Sequence, residues 1–435
     1  MKTTFVGYWQ RLIVLTAVAF LMMACLGPGM TAAEKVELTL GGWFGSADNM
    51  VLQPLLRIFE AENPGVTVKV LTGYQLDKML VAFAGGSAPD LFTAHGGWYS
   101  DLARQNVIVP LDDLMATIGM SEKEFAPGYD QLGVIDGKRY AIPFLEAAPH
   151  YALVFNNTLF AEAGLPAFSP NAVPDWSTVG NYHRKLTVKS QDGKVTRLGY
   201  NPLENPQNAY YSFESFFDAP VYDQVGRPTL NTPEMINAFE TIFSNFIEPI
   251  GAEVYWPSRS FAFEKRQVAM HTLGGLLLGN RLATSLPGDE IGATWIPHIK
   301  GQKVQRLRGW ALTISAQTKH PVEAMRLVAF LTVDPRVLST VWEERGRFGV
   351  GLAFLQSKVR TATPLESWFI QTLFNADRLF IEDMTPMKNI LTDLVGVARD
   401  AYFSGKMPAR AALDNAQQQA MAEWAELQNM YTGAK

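Results

Sequence analysis

The chain has 435 residues, of which 48% are apolar and 18% charged, and a formal net charge of −5 at pH 7. This length exceeds what one ordinary hydrophobic core serves, so we expect two domains, and the composition excludes the disordered and fibrous classes. No run rich in lysine or arginine occurs, which argues against a nucleic-acid partner.

The first 33 residues have the pattern of a secretory signal peptide. Lys2 and Arg11 precede an apolar run over 12–25, and the small residues Thr31-Ala32-Ala33 end the segment. The run is shorter than the ~20 residues of a membrane-spanning helix, so we predict export to the periplasm with cleavage after Ala33. The alternative is a lipoprotein in which Cys25, the single cysteine, is acylated and anchors the chain.

Strands and helices alternate in the segment that follows. Period-two runs of apolar residues predict strands, and apolar residues three and four positions apart predict helices. In chain order, the predicted elements are a strand at 36–40, a helix at 49–61, a strand at 66–71, a helix at 76–84 and a strand at 91–94. This order predicts an open, doubly wound α/β sheet.

In the later part of the chain, predicted strands and helices alternate less regularly. We predict a hairpin turn and a strand over 136–144, a strand at 151–155 with a helix at 157–163, helices at 234–246 and 261–270, a strand at 309–314, a helix at 322–331, and mostly helix from Trp368 to a last helix at 411–428. No linker of low complexity separates two halves. We therefore expect two domains that exchange segments through extended crossovers.

Enzyme signatures fail when their spacing is tested. In "GVIDGKRY" the spacing is one residue short of a phosphate-binding loop, and Arg139 stands where such a loop holds magnesium with Ser or Thr. The six histidines show no i,i+4 pairing, so we expect no metal site. The pairs Asp112-Asp113 and Glu343-Glu344 are more typical of a solvated face than of an acid and base. We expect no catalytic residues and no cofactor.

Aromatic residues follow three consecutive predicted strands. Trp43 and Phe44 follow the first strand, Tyr74 the second, and His95 and Trp98 the third. Ligands of open α/β sheets bind outside the carboxyl ends of the strands, and aromatic faces stack on the C–H faces of sugar rings. Glycines 96 and 97 would let a ligand approach the backbone. The alternative is that some of these aromatics are half-buried core.

Five blocks of the sequence resemble the bacterial extracellular solute-binding proteins of ABC importers, the family of maltose-binding protein. They are "IFEAENPGVTVKV", "FAGGSAPDLFTAHGGWYSDLARQNVIVPLDDL", "DGKRYAIPF", "FAFEKRQVAMHTLGG" and "GWALTISAQTKHPVEAMRLVAFLT". The blocks span most of the chain in the order of the family. The resemblance implies two α/β lobes of mostly parallel sheets and helices, joined by hinge crossovers, with an N-lobe at 34–143 and 304–345 and a C-lobe at 144–303 and 346–435.

The resemblance also implies a set of solute contacts in the cleft between the lobes. His95, Trp98 and Glu146 match family contact positions. Gly274 and Gly275 match a loop that an aromatic residue usually follows, but here Leu276 takes that place. The replacement stacking residue could be Tyr210, Tyr211 or Trp256. The remaining candidates are Arg308, Gly309, Trp310, Arg345 and Arg347, the last two alternatively pairing with Glu343 or Glu344.

The function implied is that of the substrate-binding component of an ABC importer. It would capture a mono- or oligosaccharide, close by hinge bending and deliver the solute to the transmembrane permease subunits as a monomer. The arginines leave a sugar phosphate or polyol phosphate open as the ligand. A sensory sugar-binding protein is an alternative function. A secreted carbohydrate-active hydrolase is another, but no facing carboxylate pair supports it.

Overall fold

The computed structural model describes residues 35–144, 148–149, 151–202, 209–273, 285–381, 385 and 387–433. Its strands, in chain order, are β1 Val36–Gly41, β2 Val66–Leu71, β3 Leu91–His95, β4 Val134–Ile135, β5 Lys138–Arg139, β6 Ile142–Pro143, β7 Ala148–Pro149, β8 Ala152–Asn156, β9 Val188–Lys189, β10 Val195–Asn201, β11 Val268–Leu273, β12 Ile291–Thr294, β13 Val304–Arg308, β14 Trp310–Ile314 and β15 Arg378–Ile381.

The helices lie mostly between these strands. They are α1 Ser46–Glu62, α2 Leu76–Ala84, α3 Gly96–Arg104, α4 Asp112–Ile118, α5 Asn157–Glu162, α6 Trp176–Leu186, α7 Ala209–Phe217, α8 Pro233–Ile242, α9 Ala252–Ser258, α10 Pro321–Val333, α11 Pro335–Arg345, α12 Leu352–Lys358, α13 Pro364–Asn375, α14 Lys388–Phe403 and α15 Ala409–Gly433. A π-helical turn, Phe243–Ile247, extends α8.

The first sheet has the strand order β2-β1-β3-β14-β6. Strand β1 is parallel to β2 and β3, β14 is antiparallel to β3, and β6 is antiparallel to β14, so four of the five strands point the same way. The central strand β3 is buried from Leu91 to Ala94, as expected for a strand that is covered on both faces. The strand predicted at 91–94 is thus confirmed.

The second sheet has the order β12-β8-β11-β10-β9. Strands β10 and β11 are parallel, β8 is antiparallel to both β11 and β12, and β9 is antiparallel to β10. Three of the five strands therefore share one direction. Its strands contribute to two hydrophobic clusters: Leu198 and Met270 belong to a second cluster, whereas Ala152 and Val154 of β8 belong to the cluster that also contains Leu38 of β1.

A third sheet, β15-β13-β7, consists of segments that cross between the other two. Strand β7 lies between β6 of the first sheet and β8 of the second, and β13 lies between β12 of the second and β14 of the first. Strand β15 is parallel to β13 and leads to α14. The chain thus crosses between the two units three times.

Helices α12 and α13, which follow residue 345, pack in the first hydrophobic cluster. Leu355 of α12 and Phe369 of α13 belong to the cluster that also contains Leu38 of β1, whereas Leu391 of α14 belongs to the second cluster. The sequence reading assigned everything after residue 345 to the C-lobe. We propose a boundary at β15 instead, because the chain makes its third crossing there.

The predicted helix at 261–270 is wrong. This segment forms a short 3-10 turn, Phe263–Lys265, and then enters β11. Arg266 between them has φ of +57°, a left-handed conformation that ends helical structure. Val268 and Met270 are fully buried, and a short run of buried apolar residues fits a helix and a central strand equally well. The chain from Trp368 onward also contains a strand, β15, that was not predicted.

The "DGKRY" block folds as the predicted hairpin. Asp136 and Gly137 take φ of +49° and +77° between β4 and β5, which is the conformation of a tight two-residue turn. Arg139, the residue that spoils a phosphate-binding loop, is instead fully buried. It donates to the carbonyls of Leu132 at 3.0 Å and Ala141 at 3.3 Å, and to that of Asp130.

Replacing Arg139 should destabilise the first unit. In Arg139→Met the carbonyl groups lose their buried donor, so we expect the free energy of unfolding to fall by about 3 kcal/mol. Urea denaturation followed by circular dichroism measures the change. The control is Glu122→Gln, which removes the ion pair at 2.7 Å from a carboxylate that is half exposed and should cost no more than ~1 kcal/mol. Equal losses in both variants would contradict this account.

Helix α6 is fastened to the second sheet through a buried imidazole. The backbone N–H of Tyr200 donates to His183 Nδ1 at 2.9 Å, so the neutral ring is the form that the fold uses. Burial lowers the pKa of His183 to about 4. The unfolded chain therefore binds a proton here more readily than the folded chain does.

Stability should fall on acidification, in part because of His183. Its contribution is complete above the unfolded-state pKa of ~6.5 and is lost as the pH falls toward 4, by up to ~1.4 kcal/mol per pH unit. In His183→Asn the amide oxygen can still accept from Tyr200 but does not titrate. We expect the slope of the unfolding free energy against pH to be shallower in this variant between pH 6 and 5. Identical slopes in urea titrations would contradict the prediction.

Candidate functional site

Four aromatic rings meet where the first sheet faces the crossovers. The ring of Trp310, the first residue of β14, lies 5.2 Å from Trp98, 5.7 Å from Trp43 and 5.3 Å from His95, between centroids. Trp98 meets it edge-on at 86°. All four residues are half-buried, so the group, which we call the aromatic wall, is partly open to solvent.

The sheet register explains why these four rings meet. Strands β1 and β3 are parallel neighbours, so the residues that follow them lie at the same edge of the sheet. The backbone N–H of Trp43 donates to Thr93 Oγ1 at 3.4 Å. Strand β14 runs in the opposite direction, and its first residue, Trp310, is paired with His95 at the end of β3.

The two glycines after His95 do not form an open loop. Helix α3 begins at Gly96, and Trp98 lies in its first turn. The first N–H groups of a helix have no intrahelical partner, so these residues present backbone donors beside the aromatic wall.

A lysine of the second unit reaches the aromatic wall. Lys388, at the start of α14, places Nζ 3.3 Å from His95 Nδ1 and is buried. An ammonium group can only donate, so Nδ1 accepts and the proton of the neutral imidazole is assigned to Nε2. The neighbours Met387 and Leu391 pack in the second cluster. The contact therefore joins the two units at the site.

The two candidate arginines share one carboxylate. Asp48, in the first turn of α1, is buried and lies 2.8 Å from Arg345 Nη2 and 3.7 Å from Arg347 Nη1 through Oδ1. The guanidinium of Arg347 lies 5.2 Å from the ring centroid of Trp43, in cation–π contact. Neither Arg345 nor Arg347 is paired with Glu343 or Glu344 among the ion pairs of the described residues.

Other predicted site residues lie in the core or away from the wall. Phe44 is 1% exposed and packs in the core, edge-on against Phe144 at 6.1 Å and 5.8 Å from the ring of Trp43. Tyr210 is fully buried in the second cluster. Trp256 is half-buried beside that cluster and contacts Arg259, whose guanidinium lies 4.9 Å from its ring.

Tyr74 and Gly309 contact residues that lie next to the aromatic wall. Tyr74 packs on the cluster that contains Tyr99 and is joined by Trp98, and its N–H donates to Gly42 at 2.8 Å. Gly309 is buried, and its carbonyl accepts from the Tyr99 hydroxyl at 3.1 Å. Glu146, Gly274, Gly275 and the side chains of Tyr211 and Arg308 lie outside the described residues.

Asp48 and Lys388 are the two site residues that the sequence reading missed. Asp48 has a weak signal, since an acidic residue in the first turn of a helix is usually explained by the helix dipole. Lys388 has no signal, because nothing in "TPMKNI" distinguishes it from a surface lysine.

The described residues include no group of three or more His, Cys, Asp or Glu that could hold a metal ion. In the same part of the chain, no helix is long and apolar enough to cross a membrane. The site offers aromatic faces, one buried ammonium group, and two guanidinium groups that share one carboxylate.

Replacing Asp48 should make the site more attractive to anions. Asp48→Asn deprives Arg345 and Arg347 of their shared counter-charge, so we expect the free energy of unfolding to fall by about 2 kcal/mol. The same change should raise the affinity for inorganic phosphate, because the guanidinium charge is no longer offset. Isothermal titration with phosphate measures this, with Asp334→Asn at an exposed ion pair as the control. An unchanged phosphate affinity in Asp48→Asn would show that the arginines do not face the cleft.

Comparison with known proteins identifies relatives of this chain. The chain is 25% identical, over 227 residues, to the probable ABC transporter-binding protein of Deinococcus radiodurans. The match covers 44% of this chain and 53% of the relative. The chain thus matches about half the length of that curated relative.

Solved structures share the fold over nearly the whole chain. CpMnBP1, solved with mannobiose bound, has a TM-score of 0.74 at 22% identity and covers 89% of this chain and 100% of its own. UgpB from Mycobacterium tuberculosis, in complex with glycerophosphocholine, has a TM-score of 0.72 at 17% identity and covers 90% and 99%. The predicted two-lobed α/β fold is confirmed by these likenesses.

A family model gives the assignment. Residues 45–335 match the model of the bacterial extracellular solute-binding protein, which is more than half of the chain. The match includes every strand of the second sheet, every strand of the first sheet except β1, and Trp98, His95 and Trp310 of the aromatic wall. By this match, and in agreement with the sequence blocks, the chain belongs to the bacterial extracellular solute-binding proteins.

Proposed function

We propose that this protein captures a mono- or oligosaccharide in the cleft between its two units and delivers it to the transmembrane subunits of an ABC importer. The observation that carries the proposal is the aromatic wall. Its rings are half-buried and set at steep angles around Trp310. Such rings offer faces for the C–H side of a pyranose and edges for its rim.

The polar groups around the wall support a neutral ligand. Lys388 and His95 can hydrogen-bond to hydroxyl groups from the two units. The guanidinium groups of Arg345 and Arg347 are offset by Asp48, which disfavours the alternative of a sugar phosphate or polyol phosphate. CpMnBP1 was solved with mannobiose bound, whereas UgpB was solved with a phosphodiester. The ligand class therefore needs a direct test.

The proposed mechanism is closure of two lobes on the solute. In our proposal the N-lobe comprises residues 35–143 and 304–377, and the C-lobe comprises the rest of the described chain. The solute binds the aromatic wall first, and the closed state gains the contacts of Lys388. Closure is then a shift of population driven by the better affinity of the closed state.

Export and partners follow the same proposal. Residues 1–33 direct the chain to the periplasm, with an anchor at Cys25 as the alternative. The protein acts as a monomer without catalytic residues, cofactor or metal, and the permease recognises the closed form. A sensory role would use the same closed form and is distinguished by the transport assay of a deletion strain.

Replacing Trp310 should weaken sugar binding. We expect Trp310→Ala and Trp98→Ala to lower the affinity for the best sugar at least ~10-fold, which is about 1.4 kcal/mol, because each removes a face of the wall. Isothermal titration of the chain from residue 34 onward, with mannobiose, maltose and glycerophosphocholine, measures the affinities. The control is Trp256→Ala, since Trp256 lies beside the second cluster.

Two outcomes would contradict the proposal. One is binding of glycerophosphocholine without binding of either disaccharide, which would make the ligand a phosphodiester. The other is an equal loss of sugar affinity in Trp256→Ala and Trp310→Ala, which would place the site elsewhere.

A further inference from the structure

A second pocket lies at the far end of the crossover strand β13, and we propose that it is a separate carbohydrate site that takes a single pyranose ring. The pocket has a volume of about 200 Å³ and is lined by two tryptophans, three amide side chains and a lysine, namely Trp295, Trp368, Asn171, Gln371, Asn375 and Lys303. It goes beyond the proposed cleft site and shares no residue with the aromatic wall.

Strand β13 separates the two sites. Lys303 precedes the strand, and Trp310 follows it after Gly309. Seven residues of extended chain span roughly 23 Å, so a ligand in the pocket would not touch the aromatic wall. The pocket faces α13, which packs with the first cluster, and the segment after β12 of the second sheet.

The two indoles form a fixed corner. Their centroids are 6.0 Å apart with an angle of 68° between the planes. Trp368 is half-buried, and its Nε1 donates to the carbonyl of Pro170 at 2.9 Å, which holds the ring in place. Trp295 is 3% exposed and lies under the Lys303 ammonium at 6.0 Å. A sugar ring can stack on one indole while its edge meets the other.

The rim supplies polar groups without partners of their own. Among the residues that the structure describes, no side-chain hydrogen bond is made by the exposed Asn171 and Asn375, and Lys303 has no carboxylate partner. An amide has both donors and an acceptor, which suits neighbouring hydroxyl groups that donate and accept. Because Lys303 is the one cation among the described residues that line the pocket, the rim is better matched to a neutral sugar than to a phosphate, which favours paired cations.

The walls are formed before a ligand arrives. Thr372 of α13 accepts from Gln305 Nε2 at 2.7 Å through Oγ1, and Thr294 Oγ1 lies 2.9 Å from the carbonyl of Ser169 and 2.7 Å from that of Ala172. These bonds fix both sides of the pocket. Its volume equals that of about seven liquid waters, which limits the occupant to one ring.

Fluorine NMR of fluorotryptophan-labelled protein tests the proposal. The nine tryptophans of the chain from residue 34 onward are assigned by Trp→Phe variants, and the protein is titrated with methyl α-mannopyranoside and methyl α-glucopyranoside. We expect saturable shifts of the Trp295 and Trp368 signals that persist in Trp310→Ala. The double variant Asn171→Ala, Asn375→Ala should weaken this binding at least tenfold, while Gln131→Ala, an exposed amide elsewhere, leaves it unchanged.

The outcomes separate the two sites. Signals of Trp368 that do not shift saturably, or that shift with the same affinity in the double amide variant, overturn the second site. Shifts confined to Trp43, Trp98 and Trp310 would support the cleft and overturn the pocket. Shifts confined to Trp295 and Trp368 would support the pocket and overturn the cleft site.

Discussion

The pairing of β3 with β14 is the contact on which the site depends. Strand β14 comes from a late part of the chain and inserts antiparallel beside β3, with Trp310 opposite His95. The chain can reach that position only by crossing back from the second unit through β13. One strand pair therefore sets both the two-unit topology and the meeting of Trp43, Trp98 and His95 around one indole. A slip of one residue in this register would turn Trp310 to the other face of the sheet.

The site contains positively charged side chains whose charge is offset by a carboxylate, and this disfavours the binding of anions. Asp48 draws the guanidinium groups of Arg345 and Arg347 toward the start of α1. The carboxylate also accepts from the N–H of Gly45 at 3.2 Å, so it caps the helix as well. The cation–π contact of Arg347 with Trp43 places this guanidinium next to the aromatic wall.

Local pattern was sufficient for the early elements and for Trp43, His95 and Trp98 of the aromatic wall, but insufficient for Asp48 and Lys388. Strand β2 and helix α2 match their predictions residue for residue because their apolar periods are regular. The strand at Val268–Leu273 was mistaken for helix because it is buried without alternation. Trp43 and Phe44 are adjacent in sequence and look equivalent, yet only packing decides which one enters the core. Lys388 meets His95 across the fold, and no local pattern encodes such a contact.

In the proposed closure, the crossover strand β13 remains intact while the units move. Arg306 is fully buried and donates to the Tyr151 hydroxyl at 2.8 Å and to Ser212 Oγ at 3.3 Å. Gln305 is buried beside it and bonds Thr372. Breaking these hydrogen bonds would leave buried polar groups without partners, at a cost of several kcal/mol. Bending is cheaper at the ends of the strand, where Gly301 takes φ of +69° on one side and Gly309 precedes Trp310 on the other. The bonds that hold β13 in place thus also keep Trp310, which follows it, in register with the aromatic wall.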